Sequence, residues 1–289
     1  MIAAHWQTGL FALAAMGIMV VQALVHPSLP AQVLLLAPLV AILGLPHGAL
    51  DLPIAEALWP LESWARLAVF AALYLGLAGA VIAVWLLLPS FALLAFLVYS
   101  MLHFSDDWAE DLPALRWSGG LATVGAPALL HHAEVAAIFA MLAPGGAALA
   151  ADAAALAGGV GLAMLAASIL KSPRACGPAA LELALLWTTA AALPPLMYFA
   201  IYFCGLHSIR HFTTTMRAVP NGWRAFGIAV VLSVIVTLVA LLALRQGTTG
   251  PFEAATGQGI RVIFIGLAAL TVPHMILVDR FRRADTTTE

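Results

Sequence analysis

Residues 64–88 read WARLAVFAALYLGLAGAVIAVWLLL, with a single charge, Arg66, near the start. A helix needs about 20 mostly apolar residues to cross the hydrocarbon core of a bilayer, and this stretch supplies them. Similar apolar runs, broken by proline, glycine or charge, lie at 8–26, 31–50, 90–105, 119–142, 149–170, 177–192, 195–217, 223–245 and 259–281. Pro194-Pro195 separates the seventh run from the eighth. The pattern predicts an all-α, polytopic transmembrane bundle of about ten spans. No linker or shift of composition divides residues 1–289, so a single domain is expected.

Composition agrees. Hydrophobic residues make up 63% of the chain and charged residues 9%, with a mean hydropathy of +1.03. A soluble domain carries about 25% charge, so there is too little polar surface here to cover a water-soluble fold. Disorder is excluded for the opposite reason, an excess of apolar side chains. No basic run or glycine-rich phosphate loop suggests a nucleic-acid partner. Cys176 and Cys204 match no metal-ligand spacing, and their contexts, a polar turn and an apolar run, argue against a disulfide. The first residues, Met1 to His5, lack the basic stretch of a cleavable signal, so the first span is expected to stay as an anchor.

Ten spans put both termini and the even-to-odd loops on one side. That side receives Arg66, Arg116, Lys171, Arg174, Arg217, Arg224, Arg280, Arg282 and Arg283, while the other receives Arg245 and Arg261. Basic residues mark cytoplasmic loops. Both termini are therefore expected in the cytoplasm, in a multi-pass protein of the cell inner membrane.

A charged side chain at mid-membrane costs about 2.5–3.5 kcal/mol on insertion scales, so ionisable groups inside spans are rare unless used. Five histidines stand out. His47 lies in Leu45-Pro46-His47-Gly48-Ala49-Leu50-Asp51, and His103 in Leu102-His103-Phe104-Ser105-Asp106-Asp107-Trp108. His207 and His211 share Gly205-Leu206-His207-Ser208-Ile209-Arg210-His211, and His274 follows Pro273. All five fall late in even-numbered spans, and thus at the cytoplasmic end of their helices at similar depth. His207 and His211 are four apart and share a helix face. Imidazoles projecting from several helices at one level are how bundles build metal sites. A lone membrane histidine is more often an interhelical hydrogen bond, but five at one depth favour a metal.

Asp51 follows His47 by four residues and Asp107 follows His103 by four. On a continuing helix each carboxylate lies one turn from its histidine, as an acceptor for an imidazole N–H, a direct ligand, or a water-facing edge charge. Arg210 is placed either to pair with one of these acids or to snorkel to the interface. His131, His132 and Glu134 form a second polar knot in the fifth span, as a cavity lining, an added ligand or an interhelical hydrogen-bond cluster. Phe104, Trp108, Tyr198 and Phe203 are candidates for the wall of an apolar substrate cavity, or ordinary bundle packing. Imidazole suits zinc, copper, iron and nickel alike. Oxygen chemistry needs a redox metal with open positions, and a site inside the membrane implies a lipophilic substrate.

At these residues the chain resembles the Brp/Blh family of bacterial and archaeal β-carotene dioxygenases, which make retinal. The resemblance rests on Pro46-His47-Gly48 with Asp51, on His103 with Asp106-Asp107, on His207-Ser208-x-Arg210-His211, and on Pro273-His274-Met275. It runs from the second span to the tenth. It implies a non-haem Fe(2+) held by His47, His103, His207 and His211, with His274 as a candidate further ligand and Asp51, Asp106, Asp107 and Arg210 orienting them. It also implies central cleavage of β-carotene, or a related carotenoid, by O2 to two retinals, with no catalytic residue beyond the metal centre. One rival is a histidine-rich di-iron hydroxylase or desaturase acting on lipid or carotenoid; another is a transporter relaying protons or metal ions. A retinal-binding photoreceptor is disfavoured, because the only lysine, Lys171, sits at a helix end rather than mid-span.

Overall fold

In a computed structural model, which describes residues 5–108, 112–219, 221–247 and 252–286, the chain is helical throughout. In chain order it forms α1 (His5–Val25), α2 (Leu29–Leu39), a π-helical turn (Val40–Gly44), α3 (Leu45–Gly48), α4 (Asp51–Leu58), α5 (Trp64–Leu87) and α6 (Pro89–Ser105). There follow α7 (Pro113–Leu130), α8 (His132–Leu142), a short 3-10 turn (Pro144–Gly146), α9 (Ala147–Lys171) and α10 (Pro173–Ala192). The chain continues through α11 (Pro195–Tyr202), a second π-helical turn (Phe203–His207), α12 (Ser208–Ala218), α13 (Gly222–Gly247) and α14 (Phe252–Thr286). No strand occurs among the described residues.

Each of the ten apolar segments is helical, but ten crossings are not established. Among the described residues, five helices have the length and apolarity to span a bilayer: Trp6–Val25, Trp64–Leu87, Pro144–Lys171, Gly222–Arg245 and Ala255–Ala284. The segment expected as one straight span at 119–142 is instead the pair α7 and α8, bent by 106° at His131; counted as one, it makes six. Pro127 lies inside α7 and weakens its last turn. Leu29–Gly44, Pro89–Ser105 and Ala179–Ala192 are apolar but shorter.

The chain divides into two compact units, residues 1–36 with 89–210 and residues 37–88 with 211–289. Two of the three divisions fall inside helices, within α2 and within α12, and the third falls between α5 and α6. In the first unit α7 lies against α9 at backbone contact. A Cβ added to Gly125 would lie 2.2 Å from the Gly158 nitrogen, so only glycine fits this crossing. The Ser118 hydroxyl donates to the Gly161 carbonyl at 2.8 Å across the same seam. Without water to drive association, close packing of small residues and interhelical hydrogen bonds hold such pairs.

In the second unit α14 packs on α5, α4 and α13. Leu50, Ile54, Ala55, Ala225, Ala229 and Leu277 form its core. Ser63 caps α5, its hydroxyl accepting the Arg66 backbone N–H at 3.3 Å. Both π turns adjoin histidine motifs: one ends at His207, and the other precedes Pro46-His47. A π turn re-aims the side chains that follow and is frequent at functional sites.

Candidate metal centre

In the first unit α6 carries His103 and Phe104 in its last turn, both buried. The chain then leaves the helix in tight turns, with Asp106 N–H donating to His103 O at 3.2 Å and Asp107 N–H to Phe104 O at 3.2 Å. Facing this turn, α11 contributes Tyr202 and the second π turn contributes His207. The Nε2 atoms of His103 and His207 lie 3.1 Å apart. On its other side His207 donates Nδ1–H to Asp107 at 2.8 Å, and the Tyr202 hydroxyl donates to the same carboxylate oxygen at 2.5 Å. An ionised carboxylate only accepts, so Asp107 fixes the His207 proton on Nδ1 and directs the Nε2 lone pair towards His103. This is the arrangement by which metal-binding histidines are oriented.

Asp107 is fully buried, yet ionised. Burial pushes its carboxyl up, but His207, Arg210 and the Tyr202 hydroxyl outweigh that and hold it below the ordinary carboxylate range. Arg210 is itself enclosed, donating to the Asp107 carbonyl at 2.6 Å and to Glu182 at 2.8 Å. Thr8 on α1 donates to Glu182 as well. Aromatic rings close the remaining sides: Phe104 meets His207 edge-on at 4.9 Å between centroids, and Phe203 stacks on it at 5.6 Å. Trp108 stacks on Tyr202 at 6.5 Å and sits over Gly119, where any side chain would collide with its indole.

The helix carrying His207 continues unbroken through His211, one turn on. His103, His207 and His211 are buried, and each offers a ligand nitrogen within 4.8 Å of the others. Among the described residues they are the group spaced to hold one metal ion. Three imidazoles, one oriented by a carboxylate, suit a divalent transition metal.

The second unit repeats the motif. His274 donates Nδ1–H to Asp51 at 2.6 Å, and Tyr74 donates its hydroxyl to the other Asp51 oxygen at 2.7 Å. The His211 and His274 rings are 6.1 Å apart, edge to face. His47 lies in α3, and its side chain is outside the described residues.

Comparison with known proteins decides the family. The profile of the β-carotene 15,15'-dioxygenase family matches residues 38–282. The chain belongs to the β-carotene 15,15'-dioxygenase family. It is 36% identical over 256 residues to a β-carotene 15,15'-dioxygenase of the uncultured marine bacterium 66A03, covering 83% of this chain and 90% of that protein. It is 28% identical over 290 residues to a protein of Halobacterium salinarum named as a probable β-carotene 15,15'-dioxygenase Blh, covering 84% and 83%. No solved structure matches.

Within this member of the dioxygenase family, each carboxylate reaches a histidine of another helix. Spacing paired Asp107 with His103 and Asp51 with His47 along their own helices. Asp107 accepts from His207 and Asp51 from His274, each across to another helix. The reason for Asp107 is local: α6 ends at Ser105, so the i+4 relation is lost. Asp106 turns away and takes Arg116 at 2.6 Å. Arg210 does not snorkel; its carboxylate partner is Glu182, which the motif reading passed over.

His131, His132 and Glu134 stand at the bend between α7 and α8. His131 bonds the Ala190 carbonyl at 2.9 Å, His132 bonds Asp152 at 2.9 Å on an exposed face, and Glu134 is 3.8 Å from His131. Tyr198 is buried, its hydroxyl on Thr123 O at 3.1 Å. Sequence reasoning missed Glu182, Tyr202, Tyr74 and Thr8. A lone acid in the apolar run 178–192 was a readable signal for Glu182.

Proposed function

We propose that this chain is a multi-pass enzyme of the cell inner membrane that splits the central double bond of β-carotene with O2. Each carbon of that bond takes one oxygen atom, so one carotene and one O2 give two retinals and nothing else. In this reading His47, His103, His207 and His211 hold Fe(2+), His274 is a further ligand, and the centre lies at the cytoplasmic ends of its helices, with both termini in the cytoplasm. When bound, ferrous iron supplies the redox chemistry that makes O2 reactive towards an alkene. The observation that carries the proposal is the pair of facing Nε2 atoms of His103 and His207, in a chain of this family.

The protein's own groups do the rest. Asp107 and Tyr202 keep His207 in the tautomer whose Nε2 can ligate. Phe104, Phe203 and Trp108 shut water away from the histidines and offer apolar surface to a polyene. Glu182 balances Arg210, so that Asp107 sits among matched charges rather than isolated ones. Lipid-facing apolar helices admit a substrate already dissolved in the bilayer. Expression in a β-carotene-accumulating bacterium tests the proposal, with chromatography of extracted pigments and metal analysis of the purified protein. Loss of colour, appearance of retinal and about one iron per chain are expected for a single centre with these ligands. Two irons per chain would favour the di-iron rival, and untouched carotene with no bound metal would sink the enzyme reading.

A further inference from the structure

A groove of about 730 Å³ runs between α5 and α14 in the second unit. One turn after another of α5 lines it, through Arg66, Val69, Leu73 and Leu77, and α14 forms the opposite wall. Its size lies within the range of small-molecule sites, about 300–1,000 Å³. The lining is almost wholly apolar, and Val69 and Leu73 remain 60% and 70% exposed, so the groove opens towards lipid. Two features set it apart from an ordinary crevice between spans. Arg66 and Arg280 both border it, and Arg66 uses one of its five N–H groups on the Pro60 carbonyl. The inner wall is formed by Tyr74 and Pro273, the residue that holds Asp51 and the one that precedes His274.

We infer that this groove is a binding site for retinal, the product, on its way from the histidine centre to the bilayer. The inference rests on the retinal-forming reading above. An apolar trough with guanidinium donors calls for a ligand with a long apolar body and one polar acceptor. Retinal has that shape, with its aldehyde oxygen as the acceptor; intact β-carotene carries no acceptor at all. From Arg66 to Leu77 the helix rises about 16 Å, the reach of one retinoid rather than a whole carotenoid. Continuity with the Asp51–His274 pair distinguishes the product from an anionic phospholipid, which would match the arginines but has no reason to reach Tyr74.

Photolabelling tests this with the iron-loaded protein in bilayer nanodiscs, using a diazirine analogue of retinal and mapping adducts by mass spectrometry. Adducts are expected within 66–77 and 273–280, displaced by unlabelled retinal and not by phosphatidylglycerol. Leu73→Trp fills the groove from a lipid-facing position and should weaken labelling about tenfold, with iron content and melting temperature unchanged. Adducts elsewhere, adducts undiminished by Leu73→Trp, or adducts displaced by phosphatidylglycerol instead of retinal would each overturn the assignment. Labelling needs no turnover, so protein that makes retinal but labels elsewhere sinks the groove alone. Wild-type protein that makes no retinal overturns the reading beneath it, and the occupant with it.

Discussion

Two carboxylate–imidazole–phenol sets, one in each unit, are built from the same parts and held in different ways. In the first, Asp107 takes both Tyr202 and His207 on a single oxygen, with Arg210 and Glu182 enclosed beside it. In the second, Asp51 gives one oxygen to Tyr74 and the other to His274, and it stands in the first turn of α4. A helix N-terminus favours negative charge, as does a guanidinium. The two sites thus reach the same end, a carboxylate that fixes a histidine tautomer, by two electrostatic routes. The first depends on a buried ion pair and the second on the start of a helix. The first should therefore be the more fragile, and it carries two of the three grouped histidines.

The largest expected contrast is between the histidines themselves. His103→Ala or His207→Ala should abolish retinal formation and deplete iron, and His47→Ala and His211→Ala should do the same, with the fold largely intact. His274→Ala should lose less iron than any of them, because in the proposed site it is a further ligand beside the four that hold the metal. Metal analysis beside pigment chromatography checks both halves. Full iron in any one variant would remove that residue from the ligand set, and equal depletion in all five would erase the contrast between the sites.

Next comes Glu182→Gln, which leaves the Arg210 charge enclosed and without its carboxylate. Breaking a buried pair from one side costs about 3–5 kcal/mol, enough to lower the thermal midpoint in detergent clearly. Glu56→Gln in the second unit is the control, since the Glu56–Arg224 pair is exposed and such pairs contribute about 0–1 kcal/mol. Equal destabilisation by the two would show that burial of the first pair has no energetic consequence.

The helices were legible because each apolar run announces itself, and so were the histidines, since ionisable groups inside such runs are costly enough to need a reason. What hydropathy does not encode is direction. The bend at His131 lies within one continuous apolar run, and nothing in the spacing marks the π turn that re-aims His207. The same blindness hid the His207 partner of Asp107, because the i+4 rule assumes a helix that in fact stops at Ser105. Tyr74 and Tyr202 are hidden for another reason: an aromatic in a span looks the same whether it packs or donates a hydrogen bond. Glu182 needed only the test already applied to the histidines.

Asp107→Asn against Asp51→Asn separates orientation from charge balance. Loss of a residue that orients a metal ligand typically costs about 10–100-fold in metal affinity or activity. Asp107→Asn should fall in that range when the metal-free protein is titrated with Fe(2+). Asp51→Asn should shift affinity less, because its histidine lies outside the grouped three; the reverse order would make the second unit the principal metal holder.

The smallest effects belong to the phenols. Tyr202→Phe and Tyr74→Phe each remove one O–H donor from a carboxylate, leaving the ring and its packing in place. A hydrogen bond to a charged group contributes about 1.5–3 kcal/mol, and the histidine N–H that remains on each carboxylate preserves the tautomer. Iron content should therefore stay near wild type in both, with only a modest loss of affinity. The loss should be greater for Tyr202, because its hydroxyl shares one oxygen with His207 and its ring also stacks on Trp108, so ring and carboxylate are held together. Tyr74 meets the oxygen that His274 does not use, so its removal leaves the imidazole contact undisturbed. A Tyr74→Phe protein that lost iron while Tyr202→Phe kept it would invert the ranking of the two sites.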